Sequence, residues 1–154
     1  MNTAPVLSTR PLFDMTVTLA APQTAETVDG VLSTHIATGG AVCGDRVAGR
    51  VLAGGGDWVR IDAAGVGHID VRVQLETVDL AVIHMSYLGR LVFRDDALER
   101  LVNGELLSAE DTYFRIAPLF AAPKGKYGWL NEIQAVGSGR LLPSAVHYEF
   151  HEIL

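Results

Sequence analysis

The chain has 154 residues, of which 49% are hydrophobic and 19% are charged, and its formal net charge at pH 7 is −6. This length suits one domain with a sizeable core, and the composition lies outside the disordered range. Nucleic acids and anionic membrane surfaces bind basic faces, whereas the basic residues here are scattered, so neither is an expected partner. We expect a single domain over residues 1–154, with residues 1–10 as a loose N-terminal arm.

The single cysteine, Cys43, excludes an intramolecular disulfide and a cysteine-based zinc site. It lies in a small apolar stretch, which favours a buried structural thiol over a nucleophile. No apolar run reaches the roughly 20 residues that a membrane span needs. The N-terminal segment also lacks the apolar core of a signal peptide. By elimination, we expect a cytoplasmic protein.

Glycine and proline residues divide the chain into short segments in which apolar and polar residues alternate, as in the hairpins of a β-sandwich or β-barrel. The strands predicted from this pattern, in chain order, are 11–20, 31–37, 46–52, 57–62, 67–77, 80–89, 112–118, 127–137 and 145–153. The segment 67–77 is the clearest, because Ile69 and Val71 alternate with Asp70 and Arg72. Tight turns are predicted at 62–65 and 78–79.

One segment departs from the β pattern. Residues 95–103 begin with acidic residues, continue with leucines at helical spacing and are closed by an Asn-Gly pair, which predicts a short helix. The sequence therefore predicts an all-β chain that forms a single antiparallel barrel of about eight to ten strands around a ligand pocket.

Motifs of the common enzyme classes are absent from the sequence. It contains no nucleophile elbow, zinc-peptidase motif, P-loop or dinucleotide fingerprint, so we expect no cofactor. The run Gly54–Gly56 is followed by neither Gly-Lys-Ser/Thr nor a helix, which favours a sharp bend between strands over a phosphate loop. His147 and His151 lie in a predicted strand rather than on one helix face, so no metal site is expected.

Asp57 and Trp58 follow the glycine bend directly. A carboxyl held in apolar surroundings has a raised pKa and can act as a general acid or base. Alternatively, Asp57 caps the turn and Trp58 fills the core. The stripe that contains Asp70 and Arg72 also has two interpretations, because it can face solvent or form an ion pair in the barrel lumen.

Other candidates for a binding role lie in three segments. His84 interrupts an apolar strand and is either a core histidine or a pocket residue. The remaining candidates are aromatic and polar side chains. They either bind an aromatic ligand with a carbonyl group or pack as a layer of aromatic rings in the core. They are Tyr113, Arg115, Tyr127, Trp129 and Asn131.

These segments together resemble a known family, the domain of unknown function 3237, which is related to uncharacterised protein family 0311. The most specific motifs are Gly-Gly-Gly-Asp-Trp at 54–58, Asp-Val-Arg at 70–72 and Trp-Leu-Asn at 129–131. The resemblance runs from about residue 12 to the C-terminus. It implies a lipocalin-like β-barrel that is often dimeric, and it implies no particular reaction. The chain departs from the family pattern at Val78 and Ala121, where members often have Asp and Thr.

Three functions are compatible with these observations. The first is a cofactor-independent acid/base enzyme, a hydratase or lyase, isomerase or cyclase that acts next to a carbonyl of a small hydrophobic or aromatic substrate. In it, Asp57 is the general acid or base, and the carbonyl is polarised or the enolate stabilised by Arg72, Tyr113, Tyr127 or Asn131. The second is a non-catalytic binder of a small hydrophobic ligand, and the third is a structural subunit of a homodimer or higher homo-oligomer. The enzyme hypothesis requires Asp57, Arg72, Tyr127 and Trp129 to line one cavity.

Overall fold

The computed structural model describes residues 6–154. Ten strands run through this part of the chain: β1 Thr9–Leu19, β2 Gln23–Thr27, β3 Gly30–Cys43, β4 Gly49–Val51, β5 Gly56–Ile61, β6 Val66–Thr77, β7 Val82–Phe93, β8 Thr112–Ala121, β9 Ala135–Leu142 and β10 Ala145–Ile153. One α-helix, α1, spans Ala97–Val102, and two 3₁₀ helices span Ala109–Asp111 and Gly128–Glu132. None of these helices is long and apolar enough to cross a membrane.

The strands form one closed antiparallel barrel. The sheet runs β1–β10–β9–β8–β7–β6, and β6 pairs with both β4 and β5, which share one position beside β3. β3 then pairs with β1 and closes the barrel, while β2 extends the sheet beyond β3. The closed ring has eight strand positions, because β4 and β5 share one, and β8 and β9 pair through only two positions, Arg115 with Ser138 and Ile116 with Gly137. The all-β barrel predicted from the sequence is confirmed.

Side chains that alternate along each strand divide into an inner and an outer set. On β6, Ile69, Val71 and Val73 are buried, whereas Asp70 and Arg72 on the other face are more accessible. This is the period of two that an antiparallel sheet imposes when one face covers a core. The stripe that contains Asp70 and Arg72 therefore lies on the outer surface of the barrel, and the lumen ion pair considered from the sequence does not form.

Most predicted elements are present with shifted ends, but a few predictions fail. The predicted strand 127–137 is wrong, because the 3₁₀ helix Gly128–Glu132 precedes β9. β2 was not predicted, and all of its residues are exposed. Cys43 is exposed rather than buried, since it points away from its buried neighbour Val42. Residues 9 and 10 of the predicted arm belong to β1, and residues 1–5 lie outside the described residues.

The interior of the barrel has a filled end and an open end. Aromatic rings pack against one another in the filled part, with ring centroids 5.1–6.1 Å apart. These rings are Phe13, Tyr87, Phe114, Phe120, Tyr148 and Phe150. The other end, near the start of β6 and beneath α1, contains a cavity.

Candidate active site

The glycine bend at 54–56 sets the position of Asp57. Gly54 and Gly55 have φ values of 100° and 70°, which L-residues with side chains rarely adopt. A Cβ atom on Gly56 would lie 2.5 Å from the backbone oxygen of His35, so only glycine permits this approach of β5 to β3. The bend predicted from the sequence is confirmed, and it delivers the Asp57 side chain to the barrel interior.

A cavity of about 340 Å³ occupies the open end of the barrel. This volume lies within the range of small-molecule sites, roughly 300–1,000 Å³. Its walls are mostly aliphatic and aromatic, and α1 contributes Leu98 and Leu101. The polar side chains in its lining are Ser33, His35, Asp57 and Ser144. The cavity therefore suits an apolar ligand with few polar atoms.

Asp57 is the carboxyl group of this cavity, and its side chain is only 8% exposed. Burial raises its pKa from 3.8 to about 7; the backbone of Asp70 acts in the opposite direction, and the Asp70 charge adds a smaller increase. Within residues 6–154, Asp57 Oδ1 has no hydrogen-bond partner. A carboxyl that titrates near neutral pH and keeps an oxygen available can accept or deliver a proton.

Two tyrosines lie beside Asp57 deeper in the barrel. Tyr87 on β7 and Tyr148 on β10 have ring centroids 5.3 Å apart, and with Asp57 they line a small second cavity of about 10 Å³. That volume holds about one water molecule. Burial raises the pKa of both phenols, and the nearby charge of Asp57 raises them further, so both hydroxyls stay protonated. Among the described residues, Tyr87 Oη has no hydrogen-bond partner.

His35 and Ser33 approach the cavity from β3. The Ser33 hydroxyl lies 2.9 Å from His35 Nε2, and both side chains line the same cavity as Asp57. His35 is the direct Cα partner of Asp57 in the antiparallel pairing of β3 with β5. Burial lowers the pKa of His35, which favours a neutral imidazole.

Several residues proposed from the sequence lie on the outer surface instead. Trp58 is 38% exposed and Tyr113 is 45% exposed, because the buried residues beside them, Asp57 and Phe114, take the inward positions. Arg115 stacks on Tyr113 with its guanidinium 5.0 Å from the ring centroid, and both border a surface depression. Arg72 and His84 border another depression outside the barrel, beside Gly54 and Gly55.

The segment 127–131 does not reach the cavity either. The Tyr127 hydroxyl donates to Asp79, and Trp129 lies under the Arg46 guanidinium at 4.4 Å. The Asn131 amide pairs with the backbone of Ala122 at 2.8 and 3.0 Å, as the structural alternative predicted. Asp79 lies two residues beyond Thr77, where β6 ends, and Thr77 is roughly 26 Å along the strand from the cavity residue Ile69 at about 3.3 Å per residue.

The expectation that Asp57, Arg72, Tyr127 and Trp129 line one cavity is therefore wrong. Only Asp57 does so. The site instead contains Ser33, His35, Tyr87 and Tyr148, which were not among the site residues predicted from the sequence. For Tyr87 and Tyr148 the available signal was parity, because each shares the inward face of its strand with buried apolar residues. Ser33 and His35 had no such signal, because the alternation of Leu32 and Ile36 favours the opposite face of β3.

The described part of the chain contains no cluster of three or more His, Cys, Asp and Glu side chains that could hold a metal ion. The arrangement of Asp57 beside two phenols and an imidazole, in an otherwise apolar cavity, can hold and move protons.

The family described as "Protein of unknown function (DUF3237)" matches residues 7–153. The chain belongs to this family. A relative in it, a UPF0311 protein of Rhodopseudomonas palustris, is 28% identical over 151 residues, which cover 97% of this chain and 99% of the relative. The resemblance stated from the sequence motifs is confirmed.

Solved structures share the fold. A beta-barrel like protein from Acinetobacter baumannii has a TM-score of 0.87 at 32% identity, with full coverage of both chains. An enzyme from Penicillium herquei has a TM-score of 0.75 at 22% identity, also with full coverage of both chains. At that identity the second likeness concerns the fold alone.

Proposed function

We propose that the protein is a cofactor-independent acid/base enzyme that transfers a proton next to a carbonyl group of a small hydrophobic or aromatic molecule. The observation that carries this proposal is Asp57, a buried carboxyl with a pKa of about 7 at the wall of a 340 Å³ apolar cavity. Removal of a proton adjacent to a carbonyl needs a base of this kind in a dry site, together with hydrogen-bond donors for the developing oxyanion.

The chemistry that follows is enolisation. The Asp57 carboxylate takes the proton from the carbon beside the carbonyl, the electron pair of that C–H bond forms the enolate, and the protonated carboxyl returns the proton. Return of the proton to another carbon gives isomerisation. Expulsion of a hydroxyl group by the enolate, with the proton of the Asp57 carboxyl transferred to the leaving oxygen, gives dehydration. The reverse addition of water, or of a hydroxyl group of the substrate itself, to the unsaturated carbonyl compound gives hydration or cyclisation. Tyr87 and Tyr148, which are both protonated, line the small second cavity together with Asp57 and place two phenolic hydroxyl groups near its carboxyl group.

Fold relatives give this proposal limited support. The Penicillium herquei protein is described as an enzyme, so a barrel of this shape hosts catalysis in at least one case. The reaction type proposed here rests on the cavity and Asp57.

The second candidate is a non-catalytic binder of a hydrophobic molecule. The observation in its favour is the largely aliphatic lining, including Leu19, Ile61 and Leu141, which would hold an apolar ligand without any chemistry. The two candidates share the cavity and differ in whether Asp57 exchanges a proton with the ligand.

A proton-exchange assay separates these candidates. The α-hydrogens of 2-tetralone, a bicyclic aromatic ketone, are followed by NMR in D₂O with the wild-type protein, Asp57→Asn and the control Asp14→Asn. Asp14 is an exposed carboxyl on the outer face of β1. We expect the wild-type protein and Asp14→Asn to accelerate the exchange. The exchange rate with Asp57→Asn should be lower by about 100-fold or more.

Equal exchange by wild type and Asp57→Asn would show that the acid/base assignment is wrong. Saturable binding of 2-tetralone without accelerated exchange would favour the binder.

We further propose a homodimer or higher homo-oligomer in the cytoplasm. Exposed leucines on adjacent strands, Leu88 on β7 and Leu119 on β8, support an apolar contact surface. The free and exposed thiol of Cys43 suits a reducing compartment. Sedimentation analysis of the purified protein tests the oligomeric state.

A further inference from the structure

Asp57 is not the only titratable group of the cavity. Among the described residues that form its lining, Asp57 and His35 are the two with titratable side chains. They approach from adjacent strands as direct Cα partners, a relationship that places Cβ atoms about 4.5–5.5 Å apart. A ligand oxygen that lies in the cavity against this part of the β3–β5 wall can therefore meet both side chains.

The His35 imidazole is held in place by its neighbour on the same strand face. Ser33 Oγ lies 2.9 Å from Nε2, and Ser33 is itself buried. In one of the two neutral tautomers compatible with this contact, the hydroxyl donates to Nε2 and the ring proton lies on Nδ1, because a neutral imidazole has one donor and one acceptor nitrogen. Burial lowers the pKa of His35 and keeps the ring neutral at neutral pH.

We infer that His35 is a second catalytic residue, which donates a hydrogen bond from Nδ1 to the ligand oxygen that becomes negative when Asp57 removes a neighbouring proton. This inference rests on the proposed function and names the group that stabilises the enolate. A neutral imidazole serves well as such a donor, because it polarises a carbonyl without giving up its proton. No oxidant, reductant or co-reactant enters the step.

The arrangement also defines a substrate class. Polar side chains from β3 and β5 meet at one wall, while β1, α1 and the β9–β10 hairpin supply mainly apolar residues. A matching substrate is an apolar ring compound whose carbonyl oxygen points at this wall. A second charged group on the ligand would lie against aliphatic side chains without a partner.

Binding of a pair of probes tests the role of His35. 2-Naphthol imitates the enol of 2-tetralone, and naphthalene has the same rings without the oxygen. The variants are His35→Phe, which removes the donor, and Ser33→Ala, which removes the group that orients it. Asp57→Asn is measured beside them, and His84→Phe on the outer surface of β7 is the control. Binding is measured by fluorescence, and folding is checked by thermal denaturation.

For His35→Phe we expect the affinity for 2-naphthol to fall about tenfold, as for the loss of one buried hydrogen bond, while naphthalene changes by less than about twofold. We expect a smaller loss of 2-naphthol affinity for Ser33→Ala and no change for His84→Phe. Nitrogen-15 NMR of the wild-type protein reads the tautomer directly, and the His35 Nδ1 resonance should shift with 2-naphthol and not with naphthalene. This measurement remains decisive if His35→Phe does not fold.

Each contrary outcome identifies which proposal fails. If His35→Phe retains the preference for 2-naphthol over naphthalene and Asp57→Asn loses it, the inference about His35 is overturned and the role of Asp57 stands. An Nδ1 resonance that is unaffected by 2-naphthol would overturn the inference about His35 in the same way. If neither probe binds the wild-type protein, the cavity is not a site for this ligand class. Both the proposed function and the inference about His35 would then be wrong.

Discussion

Asp57 on β5 and His35 on β3 lie directly opposite each other in the antiparallel register, and both side chains line the same cavity. Main-chain pairing fixes this relationship, because a slip of one residue would turn either side chain to the outer surface. The close approach of Gly56 to the backbone of His35 adds a second constraint. The two groups are therefore positioned by the barrel itself rather than by a flexible loop.

The stability of the protein should depend on pH through Asp57. Its folded-state pKa, about 7, lies above the unfolded value of 3.8, so the stabilising contribution is present below the unfolded pKa and is lost as the pH rises through the folded pKa. We expect Asp57→Asn to match wild type near pH 4 and to be more stable above about pH 7, by at most about 4 kcal/mol. Urea denaturation across this range measures the difference.

A constant difference between the two proteins at every pH would show that the Asp57 carboxyl is not desolvated in the folded state. Asp14→Asn again serves as the control, since that carboxyl is exposed.

Substitution of Arg72 and Tyr127 should leave proton exchange intact. Arg72 lies outside the barrel, and Tyr127 is engaged with Asp79 beyond the end of β6. We expect Arg72→Gln and Tyr127→Phe to exchange 2-tetralone within about twofold of wild type, because neither side chain meets a ligand in the cavity. Tyr127→Phe should lower the unfolding free energy by about 1 kcal/mol, as expected for a lost hydrogen bond. A large decrease in the exchange rate of Arg72→Gln would show that Arg72 takes part in the reaction, as proposed from the sequence.

The barrel could be predicted because the alternation of apolar and polar residues within each segment agrees with the strand pairing of the folded chain. The alternation on 67–77 and the glycine bend before Asp57 are both present in the structure. The strand predicted over 127–137 failed in its first part, because alternation over the five residues 127–131 does not distinguish a strand from a 3₁₀ turn. The outcome there was decided by tertiary contacts, namely the bonds of Tyr127 to Asp79 and of Asn131 to Ala122.

The site was predicted less well because residue chemistry was given more weight than strand parity. Arg72 and His84 each stand between buried apolar residues of their strand, so the period of two already assigns them to the outer face. The same rule assigns Tyr87 to the interior together with Ile83 and Met85, whereas on β3 the apolar Ile36 is exposed and its neighbour His35 faces inward. Which inward residues meet across the barrel depends on register and closure, and a single sequence does not contain that information.

Gly56 should be intolerant of a side chain. The Cβ atom of Gly56→Ala would meet the His35 backbone oxygen at 2.5 Å, and backbone cannot move aside as a flexible side chain can. We expect a loss of about 1–3 kcal/mol in unfolding free energy and weaker binding of 2-naphthol, because β3 and β5 separate at the site. The control is Gly128→Ala, where the nearest atom lies at 3.9 Å. Equal stability of both variants would show that β3 and β5 do not approach so closely.

Filling the cavity should abolish ligand binding without unfolding the barrel. Val59 lines the cavity from β5, two residues from Asp57, and Val59→Phe places a ring in the space that a ligand would occupy. Because that space is already open, we expect the unfolding free energy to change by less than about 1 kcal/mol. Naphthalene affinity should fall at least about tenfold, since the apolar contact area is taken by the protein itself.

Val82→Phe, on the outer face of β7 where the valine is 44% exposed, is the matched control and should bind naphthalene as the wild-type protein does. Unchanged naphthalene binding by Val59→Phe would place the ligand elsewhere on the molecule, and the surface depression beside Arg72 and His84 would then be the next site to test.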